Sequence, residues 1–297
     1  VVLGLSQHAK FSCIFLYPIF LCVVCIKYAH PLFELVIKKN LQALFNSLKT
    51  FLKYFLAFIV ISVLVINAGY LFHKSLTPLS RYKFDSRLFK TLQAVPALEN
   101  IRVPLPYAYL RGLDMVRYHA DTGKSFGNIY LLGRIKFTGE HYQGFKGYFF
   151  YATLFKEPLA AQIFIMIALI VFIWRREKHY FLNNELYLLF PVLFFTVYLN
   201  YFYKAHIGLR FLLPAFPLLY IFCGNLLEGW KAFPWTWKSA VTVLCVYLMV
   251  SSLSYFPHYL SYFNELVRDR KQAYKILADS NIDWGQNEWY LRAYLKN

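Results

Sequence analysis

Six stretches of this chain are long and apolar enough to cross a lipid bilayer as helices. That one feature removes most soluble folds from consideration. A crossing helix needs about 17–25 mostly apolar residues, since each residue advances about 1.5 Å through hydrocarbon roughly 30 Å thick. The stretches are residues 11–29, 54–72, 157–174, 186–203, 211–227 and 239–256. Inside hydrocarbon the backbone must satisfy its own hydrogen bonds, which a helix does within each segment. The expected fold is all-α: a polytopic integral membrane protein of about six transmembrane helices, belonging to a larger bundle, with a long outer loop. Pro18, Pro191, Pro214 and Pro217 fall inside the spans, where neighbouring groups can take up the carbonyls that proline frees.

Composition agrees. Of 297 residues, 59% are hydrophobic and 16% charged, against about a quarter charged in a soluble domain. The formal net charge of +17 would suit nucleic acid in a polar chain. In a chain this apolar it points to the lipid bilayer, with its anionic headgroups and phosphate-bearing lipids, and not to nucleic acid. Cys13, Cys22, Cys25, Cys223 and Cys245 all lie in apolar runs. Cys22-x-x-Cys25 has no second pair or histidine cluster near it, so all five read as small buried apolar side chains. The chain enters an apolar run directly from Val1 without a signal-peptide pattern, and the expectation is that an N-terminal part precedes it.

Orientation follows from lysine and arginine in the short loops. Residues 27–53 carry Lys27, Lys38, Lys39, Lys49 and Lys53; residues 175–178 read RREK; residues 228–238 carry Lys231 and Lys238. These three loops alternate correctly to be cytoplasmic. The chain then divides into two spans joined by a cytoplasmic amphipathic helix (1–72), an outer loop region (73–156), four spans (157–256) and an outer tail (257–297). The amphipathic segment is 31–53, with Ile37, Leu41, Leu44, Leu48 and Phe51 on one face and Lys38, Gln42, Asn46, Lys49 and Lys53 on the other.

The unusual polar chemistry falls on the outer side. Lys204-Ala-His206-Ile-Gly208-Leu-Arg210 links two spans. Arg210 at a helix mouth suits bidentate binding of a phosphate, and it also suits ordinary snorkelling. Lys156 and Lys10 precede spans in the same plane. Together with Arg210 and His206 they form a candidate lipid-phosphate site. The loop YLLGRIKFTGEHYQGFKGYFFY (130–151) is broken by Gly133, Gly139, Gly144 and Gly147, and its Tyr142, Tyr148, Phe149, Phe150 and Tyr151 read as interface anchors. The tail contains ADSNIDWGQNEW (278–289). Trp284 beside Asp283 and Gln286, with Asn281 nearby, offers a flat apolar face and hydrogen-bonding groups, as a sugar or acceptor site requires. Helix capping by Asp279, Asn281 or Asp283 fits the same residues. No P-loop, glycine-rich dinucleotide turn, metal-ligand cluster or nucleophilic triad follows from any spacing. No cofactor is expected. Metal dependence and oligomeric state stay open.

The ordered segments GLSQHAKFSCIFLYP, IRVPLPYAYLRGL, YLLG…GYFFYATLFKEPL, HIGLRFLLPAFPLLYI, YFPHYLSYFNEL and LADSNIDWGQ resemble the C-terminal part of bacterial family-39-like membrane glycosyltransferases. These belong to the GT-C group, beside the protein O-mannosyltransferases and the lipid A aminoarabinose transferase. The resemblance runs from about residue 4 to residue 286, and HxGxRxxLPxxP and DSNxDWGQ are its most specific parts. It implies a GT-C-type bundle in the bacterial inner membrane with a periplasmic C-terminus. It implies a sugar donor linked to polyprenyl phosphate, and a catalytic acid in an outer loop ahead of this chain, so the catalytic residue is unknown here. Two positions depart from the family's pattern. Val267-Arg268-Asp269-Arg270 stands where Gly-Gly-Pro is common, and Glu157 stands where threonine is common. A transporter or lipid-handling protein is the other class to weigh, as is an inactive truncated relic. The near absence of charge within the spans speaks against ion-coupled transport.

Overall fold

The computed structural model describes residues 1–123, 127–137, 143–174, 185–228 and 230–296. The described chain is mostly helical and packs as two compact units, Val1–Asp121 and Thr122–Asn297. This division by packing differs in kind from the division by membrane side.

In the first unit, α1 (Val2–Ala9) leads through a short 3-10 turn into α2 (Leu16–Ile37), followed by α3 (Leu41–Gly69). Two glycines set the packing of α1 on α3. A Cβ on Gly4 would stand 2.7 Å from Val65, and one on Gly69 would strike the His8 ring. Gln7 is buried there and accepts a hydrogen bond from the Tyr109 hydroxyl at 3.0 Å. The helix break between α2 and α3 differs from the expected amphipathic connector over 31–53. It falls at residues 38–40, and 41–53 continue unbroken into the next apolar run. The reason is local. Lys39 takes a left-handed conformation (φ 50°), and Asn40 caps the new helix by accepting the Ala43 N–H at 3.1 Å.

The rest of this unit carries α4 (Arg87–Gln93) and α5 (Tyr107–Thr122). Tyr82, Phe84 and Leu110 form its small core, with Tyr82 stacked on Tyr107 at 4.6 Å. Asp114 is fully buried and accepts the N–H groups of Asp85 (2.8 Å) and Ser86 (3.0 Å) and the Arg111 guanidinium (3.0 Å). Burial alone would push its carboxyl up, but these donors hold it below the usual carboxylate range.

In the second unit, β1 (Ile129–Leu131) and β2 (Arg134–Lys136) form a hairpin whose turn residues Leu132 and Gly133 both have positive φ, the geometry a two-residue hairpin favours. Leu131 bridges to Leu277, so the hairpin is tied to the tail. α6 (Tyr148–Lys156) and α7 (Leu159–Trp174) meet at an angle of 116°. Pro158 disfavours a helical Glu157, which is extended at φ −86° and ψ 135°, and the chain bends there. α8 (Leu186–Val197) runs into a π-turn at Tyr198–Phe202. α9 (Ala215–Cys223) and α10 (Trp235–Leu253) follow, and α11 (Glu288–Lys296) ends the described chain. Ala168, Phe222 and Leu226 form the core between α7, α8 and α9.

Among the described residues, three helical segments are long and apolar enough to cross a membrane: Phe11–Ile37, Leu41–Gly69 and Trp235–Leu253. The bent pair α6–α7 makes a fourth if it is one span. The remaining two apolar stretches form shorter helices, Leu186–Phe202 and Ala215–Leu227. The last is shortened by its prolines. Pro214 is the N-cap of α9 and Pro217 lies in its first turn, the positions where a missing N–H costs nothing. Cys22, Cys25 and Cys245 face outward from their helices and not into a core. The RREK loop at 175–178, with Gly139 and Tyr142, lies outside the described residues.

Candidate functional site

The second unit draws four distant segments together around α6. Two buried asparagines satisfy its ends. The first N–H groups and last carbonyls of any helix lack partners within the helix. Asn200 supplies the start: its Oδ1 accepts the N–H groups of Phe149 (3.0 Å) and Phe150 (3.2 Å). Asn264, from the YFNEL segment, supplies the end: its Nδ2 donates to the carbonyls of Leu154 (2.6 Å) and Glu157 (2.7 Å). Lys156, the last residue of α6, donates to the carbonyls of Leu260 (2.6 Å) and Asn281, and its ammonium lies 4.8 Å from the centre of the Phe263 ring. Lys156 thus ties YFNEL and DSN together through backbone carbonyls.

The HIGLR link and the DSN segment interlock. Gly208 has no room for a side chain, since a Cβ there would stand 2.9 Å from Ser280 Oγ. The Ser280 hydroxyl donates to the Ile207 carbonyl. Asn281 is 1% exposed. Its Oδ1 accepts the Leu209 N–H at 3.2 Å, and its Nδ2 donates to the Tyr148 hydroxyl (2.7 Å) and the Ala278 carbonyl (3.2 Å). That burial leaves Asn281 no face for a sugar, so its role is to hold the link and the tail on α6.

His206 is buried beneath this junction, stacked on Tyr148 with ring centres 4.9 Å apart. Its Nδ1 accepts the Phe145 N–H at 2.9 Å, so the neutral ring carries its proton on Nε2. Gly144, at φ +63°, lets the chain pass, because a Cβ there would stand 2.8 Å from the His206 ring. Burial pushes the imidazole down to about 4 from the usual histidine value, against the pull of the Leu199 and Tyr203 carbonyls. His206 therefore sits inside the junction as a neutral packing group and not as a cation turned to a phosphate. A folded value below the unfolded one means that its contribution to stability is complete above about pH 6.5. That contribution is lost as the pH falls through 4. Thermal unfolding in detergent is expected to show a loss on the order of 3 kcal/mol across that window, which His206→Gln removes. An equal fall with pH in both proteins would rule out His206 as the source.

Of the candidate phosphate ligands, Arg210 makes no hydrogen bond among the described residues. It is half-buried and, among the described residues, forms no ion pair. Its guanidinium carbon lies 4.2 Å above the centre of the Trp284 ring, close enough to Asp279 for the two charges to interact. At that distance the pair has a cation–π contact, and a guanidinium with N–H groups not otherwise engaged can bind two phosphate oxygens at once. Trp284 remains 69% exposed. Asp283 is exposed too, with an Asn287 amide 3.4 Å away. Gln286 folds back on its own loop, accepting the Trp284 N–H at 2.6 Å and donating to the Ile282 carbonyl at 3.1 Å. Neither Asp279 nor Asn281 caps α11, which starts later, at Glu288. Lys10 belongs to the first unit, exposed between α1 and the 3-10 turn.

The structure thus brings Arg210 to Trp284, and Lys156 to Asn281. Sequence reasoning missed Asn200, Asn264 and the packing roles of Tyr148 and Gly144. Asn200 had one signal, an amide inside an apolar run, where a polar group is costly unless it has a partner. No family model, curated protein or solved structure matches this chain.

Proposed function

We propose that this chain belongs to a membrane glycosyltransferase of the GT-C kind, taking a sugar from a polyprenyl-phosphate donor on the outer face of a bacterial inner membrane. In this reading all six apolar stretches lie within the membrane, the shorter α8 and α9 as tilted or packed partners, and the tail is periplasmic. The acceptor's hydroxyl or amine attacks the anomeric carbon and gives up its proton to a carboxylate base. The bond from that carbon to the phosphate oxygen breaks, and the lipid phosphate leaves with the electron pair. Arg210 stabilises the charge that grows on that phosphate. The observation that supports the reading is the Arg210–Trp284 pair at 4.2 Å, a guanidinium beside an exposed indole, built from segments about 70 residues apart. That base is not assigned to any of the described residues.

Transfer from a radiolabelled polyprenyl-phosphate sugar in vesicles tests it. Trp284→Ala removes the platform under Arg210 and a stacking face for the sugar. An interaction on the order of 1 kcal/mol predicts roughly a fivefold loss in transfer. Asp283→Asn keeps the shape and removes the charge. Wild-type transfer in both variants would end the assignment of this loop to the pocket.

Orientation is tested by labelling. Cysteines at Ser80 and Lys271, both exposed, are expected to react with an impermeant maleimide from outside the membrane, and one at Ser47 is not. Ser280 is no use for this, because it is 7% exposed and would stay silent on either side. The reverse pattern would place the Arg210–Trp284 pair in the cytoplasm.

A further inference from the structure

We infer that α11 (Glu288–Lys296) is a membrane-surface anchor whose apolar side beds into the boundary between headgroups and acyl chains, beside the exit of α10. The inference rests on reading α10 as a membrane span. Its first ground is the distribution of side chains. At 100° per residue, Glu288, Arg292 and Lys296 fall within a stripe about 80° wide. Glu288 and Arg292 close that stripe with an ion pair at 3.1 Å. The whole remaining arc carries Trp289, Tyr290, Leu291, Ala293, Tyr294 and Leu295. None of these is buried: Trp289 is 81% exposed, Tyr294 78% and Leu295 72%. A helix of nine residues is marginal in water by itself, and this one leaves Trp289, Tyr294 and Leu295 largely uncovered by the protein.

Position says what covers that side. The Tyr290 ring meets the His258 ring edge-on at 5.5 Å. His258 is five residues past Leu253, where α10 ends. The chain between and just beyond is itself aromatic and open, with Phe256 72% and Tyr259 50% exposed. α10 carries outward-facing apolar residues such as Val246 and Met249. The apolar surface of the span therefore continues through Phe256 and Tyr259 onto α11 at the level where a bilayer ends. Tryptophan and tyrosine concentrate at that level, since their rings are apolar and their N–H and O–H groups reach water. A narrow charged stripe opposite a broad apolar face is the pattern of a helix lying in the interface plane. Lipid is the occupant this continuity selects. A protein partner would not need the patch to join the span.

Spin labels on single cysteines decide it, in cysteine-free protein reconstituted into phosphatidylcholine vesicles with a minority of phosphatidylglycerol. Oxygen concentrates in hydrocarbon and a charged nickel complex stays in water. Labels at Trp289 and Tyr294 are expected to show an oxygen-to-nickel accessibility ratio several-fold above that at Arg292 and Lys296. A label at Val246 reports on α10. If Val246 is rich in oxygen and all four α11 positions are rich in nickel, α11 lies in water and the inference falls while the span stands. If Trp289 and Tyr294 are shielded from both reagents, protein covers them and the inference falls too. If Val246 itself is rich in nickel, the membrane reading fails and α11 as an anchor fails with it.

Discussion

Arg210→Lys is expected to lower sugar transfer about a hundredfold while leaving the protein folded and inserted. Lysine keeps the charge but loses the planar fork that can meet two phosphate oxygens together, and it loses the guanidinium that lies 4.2 Å from the centre of the Trp284 ring. Donors aimed at charge that develops in a transition state are worth about 2.7–4 kcal/mol each, which is roughly 100- to 1000-fold in rate. The lower end applies here because lysine still supplies a positive charge. The fold should be indifferent, since Arg210 is half-buried and, among the described residues, makes no ion pair. Transfer rate and melting temperature measured on one preparation separate the two effects. Transfer within twofold of wild type would return Arg210 to interfacial snorkelling, and a large drop in melting temperature would make it structural.

Asn281→Ala is expected to do the opposite: to cost stability first and transfer only as a consequence. The amide is fully buried, and removing it leaves the Leu209 N–H and the Tyr148 hydroxyl without the partners they have at 3.2 and 2.7 Å. An orphaned buried polar group costs about 1–3 kcal/mol, so two give on the order of 2–6 kcal/mol. For a unit of this size each kcal/mol moves the melting temperature by about 2–4 °C, and a fall of roughly 10 °C is the expected reading. Asp283→Ala, two residues on at an exposed position, should move it by no more than about 0.5 kcal/mol. If Asn281→Ala instead abolished transfer at an unchanged melting temperature, the amide would be a substrate contact and the packing argument wrong.

The contrast between these two residues shows where the sequence stops being readable. Both stand in segments that the resemblance marks, HIGLR and DSNIDWGQ, and both were candidates for ligand contact. Nothing in the spacing separates them, because whether an asparagine meets a sugar or a backbone depends on what folds over it. Asn281 lies under Tyr148 and Leu209, which are 133 and 72 residues away along the chain. Lys156 has the same history. At a span's edge it reads as a phosphate cation, yet its hydrogen bonds go to the carbonyls of Leu260 and Asn281. His206 reads as a histidine at a membrane surface, and burial against Tyr148 leaves it neutral.

Helix boundaries divided along the same line. The amphipathic spacing of residues 31–53 falls across two helices and not one. A left-handed Lys39 and the Asn40 cap cut it in two, and one half fused with the next apolar run.

What the sequence determined by itself is the apolar, mainly helical character of the chain and the apolar runs around which its longest helices form. Hydrophobic length and composition are properties of consecutive residues, and the cost of carrying polar groups into hydrocarbon reads directly from them. Local breaks such as the bend at Glu157-Pro158 belong to the same class, because proline restricts its own neighbour. The tertiary structure alone decided which polar residues are structural. Asn200, Asn264 and Asn281 fill the orphan backbone groups of elements far from them in the chain. Arg210 and Trp284, by contrast, meet each other at 4.2 Å while Trp284 stays largely exposed. A hydrogen bond to a distant backbone leaves no periodic mark on the sequence, since either end of it can be met by any segment that happens to fold within reach.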